Sequence, residues 1–117
     1  MIEASCHCGK VRLRIDVAPD QVTDCNCSIC RRYGTLWAYY SPKQVRITQA
    51  VPTHIYTWNE RSLAFHRCAE CGCVTHWSAV EPGHDRMGVN ARLLAPEILA
   101  AAPVHRFDGA GMGNSTH

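Results

Sequence analysis

Three short cysteine clusters constrain this chain more than any other feature. Its eight cysteines stand at Cys6-x-Cys8, Cys25-x-Cys27-x-x-Cys30 and Cys68-x-x-Cys71-x-Cys73, in a chain of 117 residues. That length suits a single domain. Cysteines two apart on an extended chain put both sulfurs on one face, where a bridge between them would be strained. Two sulfurs on one face suit a shared metal ion far better. The opening MIEASCHCGKVRLRID has no apolar run long enough for a signal peptide, and no stretch approaches a membrane span. The expectation is a cytoplasmic protein whose cysteines are reduced and bind metal.

Around the clusters the sequence reads mainly as β-structure. Val11, Leu13, Ile15 and Val17 alternate with Lys10, Arg12, Arg14 and Asp16, the period of a strand with one buried face. Pro19-Asp20 marks a turn, and Gln21 to Asp24 an extended lead-in. The CNCSICRRYG segment predicts a knuckle and a helical turn ending at Gly34. TLWAYY, QVRIT, THIYTW, SLAFHR, VTHWSAV and DRMGVNA predict further strands, with a hairpin turn at NER. APEILAAA predicts the one short helix, with Pro96 near its start. Seven or eight short strands are expected in one domain over 1–108, followed by a flexible tail over 109–117.

Eight thiolates divide into two tetrahedral sites. One partition is a zinc ribbon of Cys27, Cys30, Cys68 and Cys71, leaving Cys6, Cys8, Cys25 and Cys73. The other joins Cys6 and Cys8 to Cys68 and Cys71, and Cys73 to Cys25, Cys27 and Cys30. The second keeps each local chelate whole. It also uses Gly72, whose freedom at positive φ allows a reversal that would carry Cys73 away from the ion held by Cys71.

CHCGKVRLRI, CNCSICRRYG and FHRCAECGC together resemble the three signature segments of the glutathione-dependent formaldehyde-activating family, which also includes centromere protein V. The resemblance covers about residues 3–95. It implies a β-tent-like fold with two zinc ions per chain. It assigns Cys6, Cys8, Cys68 and Cys71 to a structural ion. It assigns Cys25, Cys27 and Cys30 to a second ion, catalytic in the formaldehyde-activating members. The activity implied is a carbon–sulfur lyase acting on a thiol–aldehyde adduct such as S-hydroxymethylglutathione, with glutathione as co-substrate. If Cys73 closes the second shell, the alternative is a non-catalytic, zinc-stabilised binding module.

Other side chains follow from their neighbourhood. Arg31 and Arg32 directly follow Cys30 and form a candidate cationic rim for an anionic thiol. Trp37, Tyr39, Tyr40 and Trp77 read most simply as core or half-core residues, and alternatively as walls of a pocket beside the second metal, with Trp37 as a candidate substrate contact. Asn90 and Arg92 are polar in an apolar stretch and are candidates either to orient a loop or to contact a ligand, with Asn90 counted among the candidate substrate contacts. His7, His66 and His76 read as strand-face residues. The formal net charge is +2 with every thiol counted neutral. Two zinc ions, each held by four thiolates, would bring the folded chain to about −2. With no long Lys/Arg run, nucleic acid is not an expected partner.

Overall fold

The computed structural model describes residues 1–112. Ten strands and two six-residue α-helices follow in the order β1 (Ile2–Ser5), β2 (Val11–Ile15), β3 (Val22–Cys25), α1 (Ser28–Tyr33), β4 (Trp37–Tyr40), β5 (Val45–Gln49), β6 (Thr53–Trp58), β7 (Leu63–Cys68), β8 (Val74–Ala79), β9 (Met87–Asn90), α2 (Pro96–Ala101) and β10 (Val104–Phe107). A three-stranded sheet has the order β1-β2-β5. A seven-stranded sheet has the order β10-β3-β4-β9-β8-β7-β6. All pairs are antiparallel except β10 with β3.

The alternation in VRLRI produces the expected result: Val11, Leu13 and Ile15 are fully buried while Arg12 and Arg14 face water. Each fully buried aliphatic side chain contributes about 1.5–3 kcal/mol of burial free energy. Leu13 and Ile15 join Val45 of β5, Ala38 and Tyr40 of β4, and Met87 and Val89 of β9 in the main core. The larger sheet is thus a middle layer. One face meets the smaller sheet, and the other carries α1 with a second cluster of Cys25, Cys27, Cys30, Trp37 and Phe65.

Register decides which residues share that second face. Phe107 lies opposite Cys25 and His105 opposite Thr23, while Thr23 pairs with Trp37 and Tyr39 with Gly88. Gly88 then pairs with Trp77, Trp77 with Phe65, and Phe65 with Tyr56. Side chains directly opposite in a ladder point the same way. One continuous surface therefore runs from β10 to β6, and the second cysteine cluster sits on it.

Helix α1 stops where expected, at Gly34 with φ 68°, whose amide bonds the Cys30 carbonyl 3.0 Å away. Strands β1 and β10 were not foreseen. Within the segment expected to be the tail, Ala110–Met112 form a short 3-10 turn and Gly109 is buried. Residues 113–117 of that tail lie outside the described residues.

Candidate metal centres

Two knuckles build the first cysteine group. In one, the Cys6 amide bonds the Val11 carbonyl at 3.1 Å and the Gly9 amide returns to the Cys6 carbonyl at 3.1 Å. In the other, the Gly72 amide bonds the Cys68 carbonyl and the Cys68 amide bonds the Cys73 carbonyl, both at 2.9 Å. Gly9 and Gly72 adopt φ of 79° and 81°, the left-handed region that lets each knuckle close without strain. Backbone amides of Val11 and Glu70 point at the sulfurs of Cys6 and Cys68, each at 3.4 Å.

The sulfurs of Cys6, Cys8, Cys68 and Cys71 all lie within 4.8 Å of one another. The Cys6–Cys8 and Cys8–Cys68 separations are 3.6 Å. Four thiolates around a tetrahedral zinc ion, with Zn–S bonds of about 2.3 Å, stand about 3.8 Å apart. The arrangement is compatible with such an ion. The amides of Cys73 and Cys8 hold the Cys71 thiol down to about 5, while, against the Lys10 amide, desolvation and the neighbouring sulfurs push Cys8 up to about 12, as expected of clustered thiols that share charge.

The second group is Cys25, Cys27 and Cys30, all buried, with sulfurs within 4.8 Å of one another. Cys25 ends β3, Cys27 caps α1, and Cys30 lies one turn into the helix. Burial alone would raise the Cys27 thiol. The amide of Cys30, the neighbouring sulfurs and the amide of Ile29 together bring it below its ordinary value. Burial pushes Cys30 up, against the Trp37 indole N–H, which donates to its sulfur at 3.3 Å. Three soft donors converging from one loop and one helical turn also fit zinc, as a three-ligand set.

The structure corrects the expected place of Cys73. Its sulfur is not in the second group; it is half-buried beside Cys71 and receives the His7 amide. The physical reason is the knuckle itself. The reversal at Gly72 does occur, but the Cys73 carbonyl is bonded back to the Cys68 amide, which keeps Cys73 with the first group.

A cavity of about 120 Å³ opens on the triad, lined by its three cysteines with Trp37, Tyr39, Trp58, Asn59, Leu63, Trp77 and Phe107. Of the four aromatics singled out in the sequence, Trp37, Tyr39 and Trp77 line this cavity. Tyr40 does not: strand alternation turns it to the opposite core, where its hydroxyl donates to the Val17 carbonyl at 2.9 Å. Trp77 can lie across β9 because residue 88 is glycine; a Cβ there would run into the indole. Burial raises the Tyr39 phenol above its ordinary value, against the charge of Arg86, which stacks 4.1 Å from its ring centre.

The polar candidates are dispersed. Arg32 donates to the Ser28 carbonyl at 2.9 Å. With Tyr33, Tyr56, Trp58 and Arg67 it lines an adjoining groove of about 340 Å³. Arg31 is exposed on the last turn of α1. Asn90 is buried and committed to the backbone, donating to the Val74 carbonyl at 2.8 Å and accepting from the Arg92 amide at 3.2 Å. It does not line the triad cavity. Trp58, Asn59, Leu63 and Phe107 were missed. Tyr56 and Trp58 share a strand face by alternation, which was a usable signal, whereas Phe107 lies on the unforeseen β10.

A family model described as glutathione-dependent formaldehyde-activating enzyme matches residues 1–107. A crystal structure of a Rhodobacter sphaeroides protein superposes with a TM-score of 0.72 at 26% identity, covering 89% of this chain and 100% of that one. No curated protein gives a significant match.

Proposed function

Because the chain belongs to the glutathione-dependent formaldehyde-activating enzyme family, we propose that it is a zinc-dependent carbon–sulfur lyase acting on a small thiol–aldehyde adduct such as S-hydroxymethylglutathione. In this reading Cys6, Cys8, Cys68 and Cys71 hold a structural zinc ion, and Cys25, Cys27 and Cys30 hold a second. Bound there, zinc supplies a Lewis acid that favours the thiolate form of a thiol near neutral pH. Thiolate ligands suit a reducing compartment, and the cytoplasm meets that need.

The observation that carries the reading is the buried triad, with no fourth Cys, His, Asp or Glu in its group among the described residues, facing a small aromatic cavity. In the cleavage direction the C–S bond breaks, sulfur keeps the electron pair, and the hydroxyl passes its proton to water as the aldehyde C=O forms, giving thiolate, aldehyde and a solvated proton. Synthesis is the reverse. Trp37 orients the Cys30 sulfur. Tyr39, Trp58, Trp77 and Phe107 exclude water. The protonated Tyr39 offers an O–H to the adduct oxygen. Arg32 and Arg67 line the neighbouring groove, where the carboxylates of a glutathione-sized thiol find cationic partners.

The test is the rate of exchange between free formaldehyde and its thiol adduct, measured by magnetisation-transfer NMR with glutathione and with smaller thiols. Zinc-loaded protein should accelerate exchange, and Cys27→Ser should abolish the effect. No acceleration with any thiol, from protein carrying both metals, would exclude the lyase.

A further inference from the structure

The chain does not leave the second cysteine group after β10. Residues 107–111 lie across the Cys25–Cys27 loop and are fastened to it through the single residue between those cysteines. The Asn26 amide bonds the Phe107 carbonyl at 3.2 Å. The Asn26 Nδ2 donates to Asp108 Oδ1 at 2.9 Å, and Asn26 Oδ1 accepts from the Ala110 amide at 2.9 Å. Asp108 Oδ1 also accepts from the Gly111 amide at 3.0 Å, which curls the strap back on itself. Asn26 therefore uses its backbone amide and both ends of its side chain on one segment more than 80 residues away in sequence.

Gly109 sits face down on the cysteines. A Cβ at that position would stand 2.6 Å from Cys25 Sγ, 3.1 Å from Cys27 Cβ and 3.5 Å from the Phe107 ring. No real Cβ tolerates the first of these distances, so any side chain at 109 must move the Cys25 sulfur or the strap. A CxC loop alone leaves its two sulfurs free to swing, whereas a metal needs both held within a few tenths of an ångström.

We propose that the 107–111 strap is a positioning device for the second metal centre. Asn26 and Asp108 are the positioning residues that hold the Cys25 and Cys27 sulfurs in chelating geometry, and Gly109 lets the strap close directly over Cys25. The proposal rests on reading Cys25, Cys27 and Cys30 as metal ligands. Partners of this kind, which touch ligands and not the ion, are worth about 10–100-fold in metal affinity.

The experiment follows zinc leaving the intact chain for a chromophoric chelator. The slow phase, from the first site, reports that the fold is kept. Asp108→Ala, Gly109→Ala and Ala110→Pro should each speed the second-site phase by at least about tenfold and leave the slow phase unchanged. Asp108→Asn keeps an acceptor for Asn26 and Gly111 and should release zinc close to the parent rate. In cobalt-substituted protein the Gly109→Ala variant should lose thiolate charge-transfer intensity while the Asp108→Asn variant retains it. Two-phase release unchanged in all three disruptive variants would overturn the strap while leaving the triad's reading intact. A parent chain that holds only one metal ion would overturn both.

Discussion

His66 and His76 stack with ring centres 4.1 Å apart and planes 12° from parallel, a geometry that two imidazolium ions cannot share. His66 is paired at both ring nitrogens, with Thr53 and Ser78 at 2.9 Å each, and His76 is paired with Thr75 at 2.8 Å. Burial, then the neighbouring His66, lowers His76 to about 3. The unfolded imidazole takes its proton near 6.5, the folded one only near 3, so the unfolded state binds more protons between those values. Stability is therefore full above about pH 6.5 and falls as the pH drops through that window. The His76→Phe variant should lose less melting temperature than the parent between pH 7 and pH 4.5, by on the order of 1–3 kcal/mol in stability. Metal release in acid affects both proteins, so the difference isolates the histidine; parallel melting curves would refute the assignment. At this scale the sequence was readable where alternation was clean. In WAYY, Trp37 and Tyr39 go to the triad and Ala38 and Tyr40 to the core, although four apolar residues in a row do not say which pair goes where. Spacing sends Cys73 to the second ion because it counts ligands and does not see the Cys68–Cys73 backbone bond that holds a knuckle shut.

Among the elements, the β6–β7 hairpin carries the most local strain. Asn59, Glu60 and Arg61 have φ of 57°, 58° and 64°, three successive non-glycine residues in the left-handed region, and Asn59 faces the triad cavity. Each such residue costs roughly 1–2 kcal/mol, and glycine recovers that at a cost of about 0.5–1 kcal/mol in unfolded-state entropy. Arg61→Gly should thus raise the denaturant midpoint by an amount equivalent to about 0.5–1 kcal/mol with an unchanged slope. A lower midpoint would mean that the arginine side chain contributes more than the backbone loses. The turn itself was legible from NER between two strand-like runs, but not its handedness. Strands β1 and β10 were illegible for a different reason. Each has four residues, and β10 is exposed along its whole length, so neither shows a burial alternation to read. Their existence depends on β2 and β3 offering a free edge, which only the assembled sheet reveals.

For the whole molecule, the two cysteine groups stand in different mechanical positions. The first joins the loop after β1 to the β7–β8 knuckle, a separation of 60 residues between Cys8 and Cys68, and so ties the smaller sheet to the larger. The second draws on Cys25 to Cys30 alone and closes almost no loop. A metal that closes a long loop removes far more unfolded-chain entropy than one that closes a short one. Cys68→Ser should unfold the domain or lower its melting temperature by more than about 10 °C, whereas Cys27→Ser should stay folded, a few degrees below the parent, with one metal ion. Equal losses would contradict the division of roles. The grouping of Cys25, Cys27 and Cys30 follows from chelate spacing, whereas the same spacing argument sends Cys73, two residues from Cys71, to the wrong group; the strap over the second group is not legible, because DGAG carries no period and its bonds reach back to Asn26. The middle sheet has a further consequence. Its successive residues answer to two separate demands, one face to cohesion and the other to the cavity. A designer could therefore randomise Tyr39, Trp58 and Trp77 together as a library of cavities, while Ala38, Tyr40 and Val89 go on encoding the same scaffold from the positions in between.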